Sequence, residues 1–529
     1  MTAPIDIRPV DLAIVQDILR AVLPATAKVY VFGSRALWTT KDGSDLDVAI
    51  DVGRRLTREE SLDLADAFEE SDLPYKVDVV DLHNVSESFK AIVDRDKVEL
   101  PFRPLNSFAT LQRGNTYKGS LLGLPGPKLL GLGSIKRNGG FKSDNLKTYG
   151  GSSDPRMLLY PGDIYVSLKD VTQAGDLLGA VARVPESVPI GRLTQDTVKL
   201  VFQDNAPKNL IYWVLRSAEY RTFCRSYATG TTNLGLPRDD FLGFPIPNPT
   251  IERLHLVSVL DALEDKIELN RRMNETLEAT ARAIFKDWFV DFGPTRAKIE
   301  GQAPYLPPEI WSLFPDTLDD EGTPEGWITS TIGQEVEIVG GSTPSTKEVS
   351  YWGGDFYWAT PKDLSSLDNP VLLGTDRKIS KAGLTQIGSG LLPVGTVLLS
   401  SRAPIGYMAI AQVPVAVNQG FIAMICKKKL SNVFVWQWTH ANMETVHQNA
   451  NGSTFQEISK SNFKPIPVTV ATPHTLEAFD DMIVQLFDRI VANEIESRSL
   501  AATRDFLLPK LMSGEVRVEN LKTLKAAAQ

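Results

Sequence analysis

ATGTTNLGLPRDDFLGFPIP (residues 228–247) and ANGSTFQEISKSNFKPIP (residues 450–467) are two copies of one passage. Gly230-Thr231-Thr232 falls on Gly452-Ser453-Thr454, Phe241 on Phe463, and Pro245-Ile246-Pro247 on Pro465-Ile466-Pro467. A self-match at a spacing of about 220 residues means that the chain carries one structural unit twice.

A long helix follows each Pro-Ile-Pro. In the first, Leu260, Leu263, Ile267, Asn270, Asn274, Leu277, Ala281, Ile284 and Trp288 recur three and four residues apart. At the matching offset stand Ile483, Leu486, Ile490, Asn493, Ser497, Leu500, Arg504, Leu507 and Leu511. An ordinary amphipathic helix shows similar spacing, but two copies at matched offsets favour a paired seam of period 3.5. Asn270 and Asn493 hold equivalent seam positions, where a polar residue costs stability and fixes register.

Segments 105–247 and 326–467 precede the helices. Both alternate Val, Ile and Leu with Gly/Pro turns, as in GDIYVSLKDVTQAGDLLGAVARV (162–184) and GTVLLSSRAPIGYMAIAQVPVAVNQGFIAMIC (395–426), so both read as β-rich. The Pro-rich, acidic stretch FGPTRAKIEGQAPYLPPEIWSLFPDTLDDEGTPEGW (292–327) suits a linker. The expected fold is a multidomain α+β chain: a small α/β domain (1–103), a β-rich domain (104–250), a long helix (251–292), a linker (293–325), a second β-rich domain (326–468), a second long helix (469–513) and a tail (514–529). The two helices are expected to pack as an antiparallel coiled coil with pseudo-two-fold symmetry. About 32 helical residues at about 1.5 Å each span about 48 Å, on the order of 14 base pairs. A rod with a domain at each end resembles a ruler for a split DNA site.

The 529 residues are 43% hydrophobic, ample for several cores. Two cysteines, Cys224 and Cys426, cannot build a disulfide framework and point to a reducing compartment. There is no apolar run of membrane-spanning length, and MTAPIDIRPVD lacks the basic-then-apolar pattern of a leader, so the expectation is a cytoplasmic protein without membrane contact. The net charge of −9 argues against a generally basic nucleic-acid binder. Most of the acidic excess lies in residues 1–103, and a near-neutral remainder is compatible with local Lys/Arg patches in a DNA groove.

Residues 104–515 resemble the specificity subunit of type I restriction-modification systems. The resemblance rests on GGSTPSTKEVSYWGGDFYWATPKDLS (340–365), LLSSRAPIGYMAIAQVPVAVNQGFIAM (398–424), the repeated Gly-Ser/Thr-Thr…Phe…Pro-Ile-Pro junctions and LFPDTLDDEGTPEGW (313–327). It implies two target-recognition domains, each reading half of a split double-stranded DNA sequence, with helices that dock methyltransferase subunits, expected to be two, and restriction/translocase subunits joining that complex. The first domain departs from the pattern: SLKDVTQAGDLLGAV lacks the Ser-Arg-Ala-Pro-x-Gly of the second, as suits two different half-sites. No Asn/Asp-Pro-Pro-aromatic methyltransferase motif and no Walker loop occurs. S-adenosylmethionine and ATP for methylation and cleavage are therefore expected only through partner subunits.

DNA reading asks for donors and acceptors on loops of a rigid scaffold. Candidates in the second domain are Thr343, Lys347, Tyr351, Lys362, Ser401, Arg402, Asn418 and Gln419. Arg402 can offer a fork to guanine, and Asn418 or Gln419 can pair with adenine. Counterparts in the first are Lys118, Lys136, Arg137, Lys142, Lys169 and Gln195, the last aligning with Gln419. A solvated surface charge remains an equal reading for any one Lys or Arg, a turn role for Asn418-Gln419, and packing for Tyr351 and Trp352.

Residues 1–103 carry VFGSRALWTTKDGSDLDVAI (31–50). Gly33-Ser34 after the strand-like VYVF, then Asp45-x-Asp47, resembles the minimal nucleotidyltransferases of the polymerase-β-like superfamily. Gly33 allows a tight turn whose backbone N–H groups, with the Ser34 hydroxyl, can hold phosphate. Asp45 and Asp47, two apart on a strand, face one side and suit Mg2+ ions bridging a nucleoside triphosphate. The resemblance adds Asp78, in KVDVVDL (76–82), as a third metal ligand or proton acceptor. Family members include antitoxins that nucleotidylate a partner protein. Two other readings are an autonomous antitoxin-like nucleotidyltransferase with a substrate-recruiting C-terminal module, and a scaffold without DNA affinity. Neither needs two β-rich domains and two seam helices at matched offsets.

Overall fold

The computed structural model describes residues 5–513 except 25–26, 42, 101–102, 172–173, 232 and 453–455. Thr232, Ser453 and Thr454 of the repeated passage, and the 514–529 tail, lie outside the described residues. The chain divides into two compact units, residues 1–263 with 502–529, and residues 264–501, so the division falls inside both long helices.

The first unit begins with a four-stranded sheet of β1 (Lys28–Phe32), β2 (Leu46–Asp51), β3 (Val77–Asp81) and β4 (Val98–Glu99), in the order β3-β2-β1-β4. β1 runs antiparallel to β2 and β4, and β2 runs parallel to β3. The alternation of KVYVF buries Val29 and Val31 against Val48 and Ile50 of β2 and against Val15, Leu19 and Leu64 of the helices Pro9–Val22 and Arg58–Glu69. Thr57 starts the second of these helices: its hydroxyl accepts from the Glu60 N–H while the Glu60 carboxylate accepts from the Thr57 N–H.

The β-rich segment of this unit has one sheet ordered Ala109–Arg113, Thr197–Phe202, Ile164–Ser167, Val181–Arg183, all antiparallel. A smaller sheet pairs Gly191–Leu193 parallel with Lys128–Leu130 and antiparallel with Leu158–Leu159. The second unit repeats this plan. Its larger sheet is ordered Glu337–Val339, Phe421–Ile425, Val397–Ser401, Ile405–Ala411, with Val371–Leu372 added at the far edge. Its smaller sheet pairs Val415–Val417 parallel with Trp352–Ala359, and an antiparallel bridge joins Leu392 to Val415 where the first copy joins Leu159 to Gly191. Each copy closes with a two-stranded pair before its helix: Arg103–Pro104 with Pro245–Ile246, and Ile328–Thr331 with Pro467–Val470. The Pro-Ile-Pro repeat marks that closure.

The helices span Ile251–Phe289 and Pro473–Ser513. In the second unit they run antiparallel: Lys266 meets Glu496, Asn270 meets Asn493, and the Phe285 and Phe479 rings lie 5.8 Å apart. The seam side chains Ala281, Trp288, Ile483 and Ile490 are buried as the heptad requires. Asn270 and Asn493 are fully enclosed; Asn493 Nδ2 donates to Asn274 Oδ1 (2.8 Å) and Asn270 Nδ2 to Glu496 Oε2 (2.7 Å). In the first unit Leu260, Leu507 and Leu511 are buried, as is Arg253. Arg253 grips Glu99 of β4 with both Nη atoms and donates to the carbonyls of Asn248, Leu511 and Met512.

The stretch expected as a linker is folded into the second unit. Gly293–Ile299 and Pro308–Trp311 are short helices, and Phe314 and Trp327 stack on Trp288 and Phe289 in the core. The prolines shape turns, and the aromatic residues between them supply burial that composition alone did not reveal.

Asn493→Ala strands the Asn274 carboxamide oxygen in the seam. It is expected to destabilise the second unit by about 1–3 kcal/mol in urea unfolding, whereas Asn449→Ala, on an exposed helix end, shifts the transition little.

Candidate functional site

The chemistry-bearing turn of the first unit follows β1. Gly33 opens a single helical turn, Gly33–Arg35, with φ +70°. A Cβ at this position would stand 2.4 Å from Asp47 Oδ2, so only glycine brings this backbone against that carboxylate. Ser34 lies next on the turn, half-buried. Arg35 is buried and folds back on the chain. It donates to the carbonyls of Asp45 (3.2 Å), Ser44 (2.8 Å) and Asp6 (2.9 Å), and its guanidinium lies 3.7 Å from the Tyr75 ring centroid. It acts as a staple that fixes the segment entering β2, a role sequence reasoning did not assign.

Asp47 on β2 stands in register with Phe32 of β1 and Asp78 of β3, so the sheet itself brings Asp47 and Asp78 side by side. Asp45, expected on the same strand, lies just ahead of β2 and is exposed; the Arg35 staple, not strand pairing, places it. Burial, then the nearby Asp78 and Asp45 carboxylates, push the Asp47 carboxyl above its ordinary pKa. Asp78 is drawn to Lys76 at 2.5 Å. Among the described residues no three acidic, His or Cys side chains are gathered as a ready cation cage. The donor set nevertheless fits a divalent cation with phosphate: hard carboxylate oxygens that repel one another, beside a backbone cradle that a side chain would fill.

On the second unit, Gln419 is exposed on the turn between Val415–Val417 and Phe421–Ile425, and its side chain accepts a hydrogen bond from Thr343 (2.7 Å). Asn418 spends its side-chain oxygen on the Gly420 N–H (2.8 Å), which is the turn role. Pro361 packs against Gly420, so Lys362 stands beside the same turn, 3.8 Å from Asp376. Lys347 is exposed, and Arg402 pairs with Glu457 at 3.6 Å. Tyr351 is half-buried, its carbonyl accepting from the Ser380 N–H. Ser401 corrects the expectation of a surface donor. It is 3% exposed, sealed in the central strand of the sheet, because the Ser-Arg-Ala-Pro passage leaves the strand only after it. Arg377, which sequence reasoning did not single out, lies exposed over the Trp352 ring. Only the abundance of tryptophan nearby hinted at it.

In the first unit Gln195 occupies the equivalent turn, between Gly191–Leu193 and Thr197–Phe202, and is exposed. Lys169 pairs with Asp196 (3.5 Å), Arg137 with Asp176 (4.0 Å) and Lys142 with Asp144 (3.8 Å), while Lys118 and Lys136 are exposed.

Residues 324–502 match the model of the type I restriction modification DNA specificity domain, and residues 15–100 that of the polymerase beta nucleotidyltransferases. The type I restriction enzyme MjaIX specificity subunit of Methanocaldococcus jannaschii is 37% identical over 169 residues, which are 30% of this chain and 39% of that one. The HindI specificity subunit of Haemophilus influenzae is 24% identical over 320 residues, 52% of this chain and 69% of its own length. The probable protein adenylyltransferase MntA of Haemophilus influenzae is 42% identical over 97 residues, 17% of this chain and 79% of that one. The chain thus spans well under half of the first specificity subunit but most of the adenylyltransferase. It belongs, over its N-terminal domain, to the polymerase-β-type nucleotidyltransferases, joined to a body homologous to type I restriction-modification specificity subunits.

Proposed function

We propose that this chain is the DNA-addressing subunit of a type I restriction-modification assembly, reading a split double-stranded target and docking methyltransferase and restriction/translocase subunits. The observation that carries this reading is the duplicated β-rich plan, with an exposed glutamine, Gln195 and Gln419, on the same turn of each copy. Two copies of one scaffold with different loops suit two half-sites of different sequence. Thr343, Lys347, Lys362, Arg402 and Gln419 form the candidate reading face of the second domain; Lys118, Lys136, Arg137, Lys142, Lys169 and Gln195 form that of the first. Asn418 and Tyr351 shape the loops, and Ser401 is left out because it is buried. An autonomous nucleotidyltransferase with a recruiting tail leaves the duplication without a use.

The N-terminal domain, in this reading, transfers a nucleotide. Asp45 and Asp47 would hold divalent cation, with Asp78 joining them on leaving Lys76. Such an ion neutralises the charge of a nucleoside triphosphate. The Gly33-Ser34 turn presents backbone N–H groups and a hydroxyl to phosphate. Arg35 keeps Asp45 at the mouth of the turn.

Sequencing base modifications across the host genome is the first test. Deleting the gene should erase one methylated motif made of two short blocks separated by a fixed gap; loss of an uninterrupted motif, or of none, counts against the reading. For the N-terminal domain, labelled ATP with magnesium should mark a protein of the complex with the unsubstituted chain. Asp45→Ala/Asp47→Ala should leave only background label. A third expectation concerns stability. A carboxyl whose folded pKa is raised contributes most below its unfolded value, and that contribution is lost as pH rises through the folded value. At pH 7.5 in chelator, Asp47→Asn should therefore raise the thermal midpoint of the domain by about 1–4 °C while abolishing the stabilisation given by magnesium and ATP.

A further inference from the structure

Most cations of the candidate reading faces stand near carboxylates. Arg377 is different. It lies exposed at the start of the strand Arg377–Ile379, with its guanidinium carbon 3.5 Å from the Trp352 ring centroid and 5.3 Å from that of Trp358. Among the described residues no carboxylate pairs with it, and its guanidinium donates no hydrogen bond.

The rings beneath it are fixed. Trp352 Nε1 donates to the Ser345 carbonyl (3.1 Å) and Trp358 Nε1 to the Ser342 carbonyl (3.2 Å). The two rings meet edge to face at 5.0 Å and 83°, and Trp358 is 2% exposed. Segment 342–345 thus anchors both indoles, and within it Thr343 binds Gln419. The same segment therefore ties the Arg377 platform to the Gln419 turn. Stacking on an aromatic face restrains a guanidinium through its π-surface and leaves its in-plane N–H edge unspent. A restrained, unpaired fork matches the paired acceptors O6 and N7 of guanine in a major groove.

We propose that Arg377 is a specificity-determining residue of the second reading domain, presenting its guanidinium edge to a guanine of one DNA half-site. This rests on the reading of the chain as a DNA-addressing subunit. The platform costs the fork little ordering on binding, because Trp352 and Trp358 hold it in place beforehand.

The test uses the full chain, purified with the subunits that accompany it, and a library of double-stranded DNA with a randomised core. The unsubstituted chain should select a two-block motif with an invariant guanine in one block. Arg377→Gln should lose discrimination at that single position by about 10- to 100-fold and keep the rest of the motif. Arg377→Lys retains the charge over Trp352 but not the fork; it should lose the same discrimination with an unchanged thermal midpoint and salt dependence. Uniform weakening across all sequences with a shallower salt dependence would make Arg377 a phosphate contact and overturn the proposal. An unchanged motif and affinity would make it a cover for Trp352 and overturn it equally. If the unsubstituted chain selects no motif, the DNA-addressing reading itself falls, a failure visible before any variant is compared.

Discussion

A layer of buried amides governs the long-helix pair. A seam of leucine and isoleucine alone is nearly indifferent to sliding by one heptad, since every repeat offers similar apolar surface. Asn493 donates to Asn274, and Asn270 donates to Glu496 across the same interface. A slip would set these amides against apolar side chains and strand their donors, a larger loss than any apolar contact regained. With the layer in place, Phe285 and Phe289 meet Phe479 and Phe434, and the seam runs into the core of the second β-rich domain without a boundary. In the first unit, Arg253 closes the helix terminus by satisfying the Leu511 and Met512 carbonyls while holding Glu99. A guanidinium so enclosed is tolerated because carboxylate and carbonyl acceptors surround it. That contact makes the edge strand of the nucleotidyltransferase-like sheet part of the helix end it touches.

The two β-rich domains share one scaffold and differ at its rim. Strand order, the parallel pair of the smaller sheet and the glutamine-bearing turn are shared. What differs lies at the margins. The second copy adds Val371–Leu372 to its larger sheet and the Arg377–Ile379 strand to its smaller one. The first instead buries Arg192 against Tyr149, where Asn115 and the Thr116 carbonyl accept from it. Rim chemistry can diverge in this way because the central strands bury their side chains whatever the loops do.

The repeat and the heptad were legible because they are periodic, and periodicity survives without knowledge of partners. The spacing of Asp45 and Asp47 after a Gly-Ser turn was visible in the sequence, whereas Asp78 came only with the family resemblance; the sheet register then sets Asp78 beside Asp47. Asp45 was misplaced by one step since strand boundaries depend on pairing, and here the Arg35 staple ends the loop before the strand begins. Ser401 misled because a serine inside a buried strand and one on a loop look alike in sequence; the hydrogen bond its N–H gives to the Gly420 carbonyl is a tertiary fact. The folded stretch over 293–325 was hidden by its prolines, whose neighbours Phe314 and Trp327 pack on a helix they do not adjoin in sequence. Arg377 was invisible for the same reason, its platform being assembled from Trp352 and Trp358 through carbonyls of a third segment.

The electrostatics of the proposed reading faces follow from this assembly. Lys362, Arg402, Arg137, Lys142 and Lys169 each stand within reach of a carboxylate. Such exposed pairs add little to stability, but they lower the field that the face presents to any phosphate backbone. Non-specific DNA binding grows with the number of phosphates neutralised, so a face whose cations already have partners gains less from an arbitrary duplex. A half-site that supplies matching base edges has to outweigh the loss of each internal pair, and it can do so only where several contacts are made together. The acidic excess of residues 1–103 acts in the same direction, since net negative charge disfavours unselective approach to DNA. In the proposed DNA-addressing role, a near-neutral face with a few prearranged donors would trade affinity for discrimination among competing sequences.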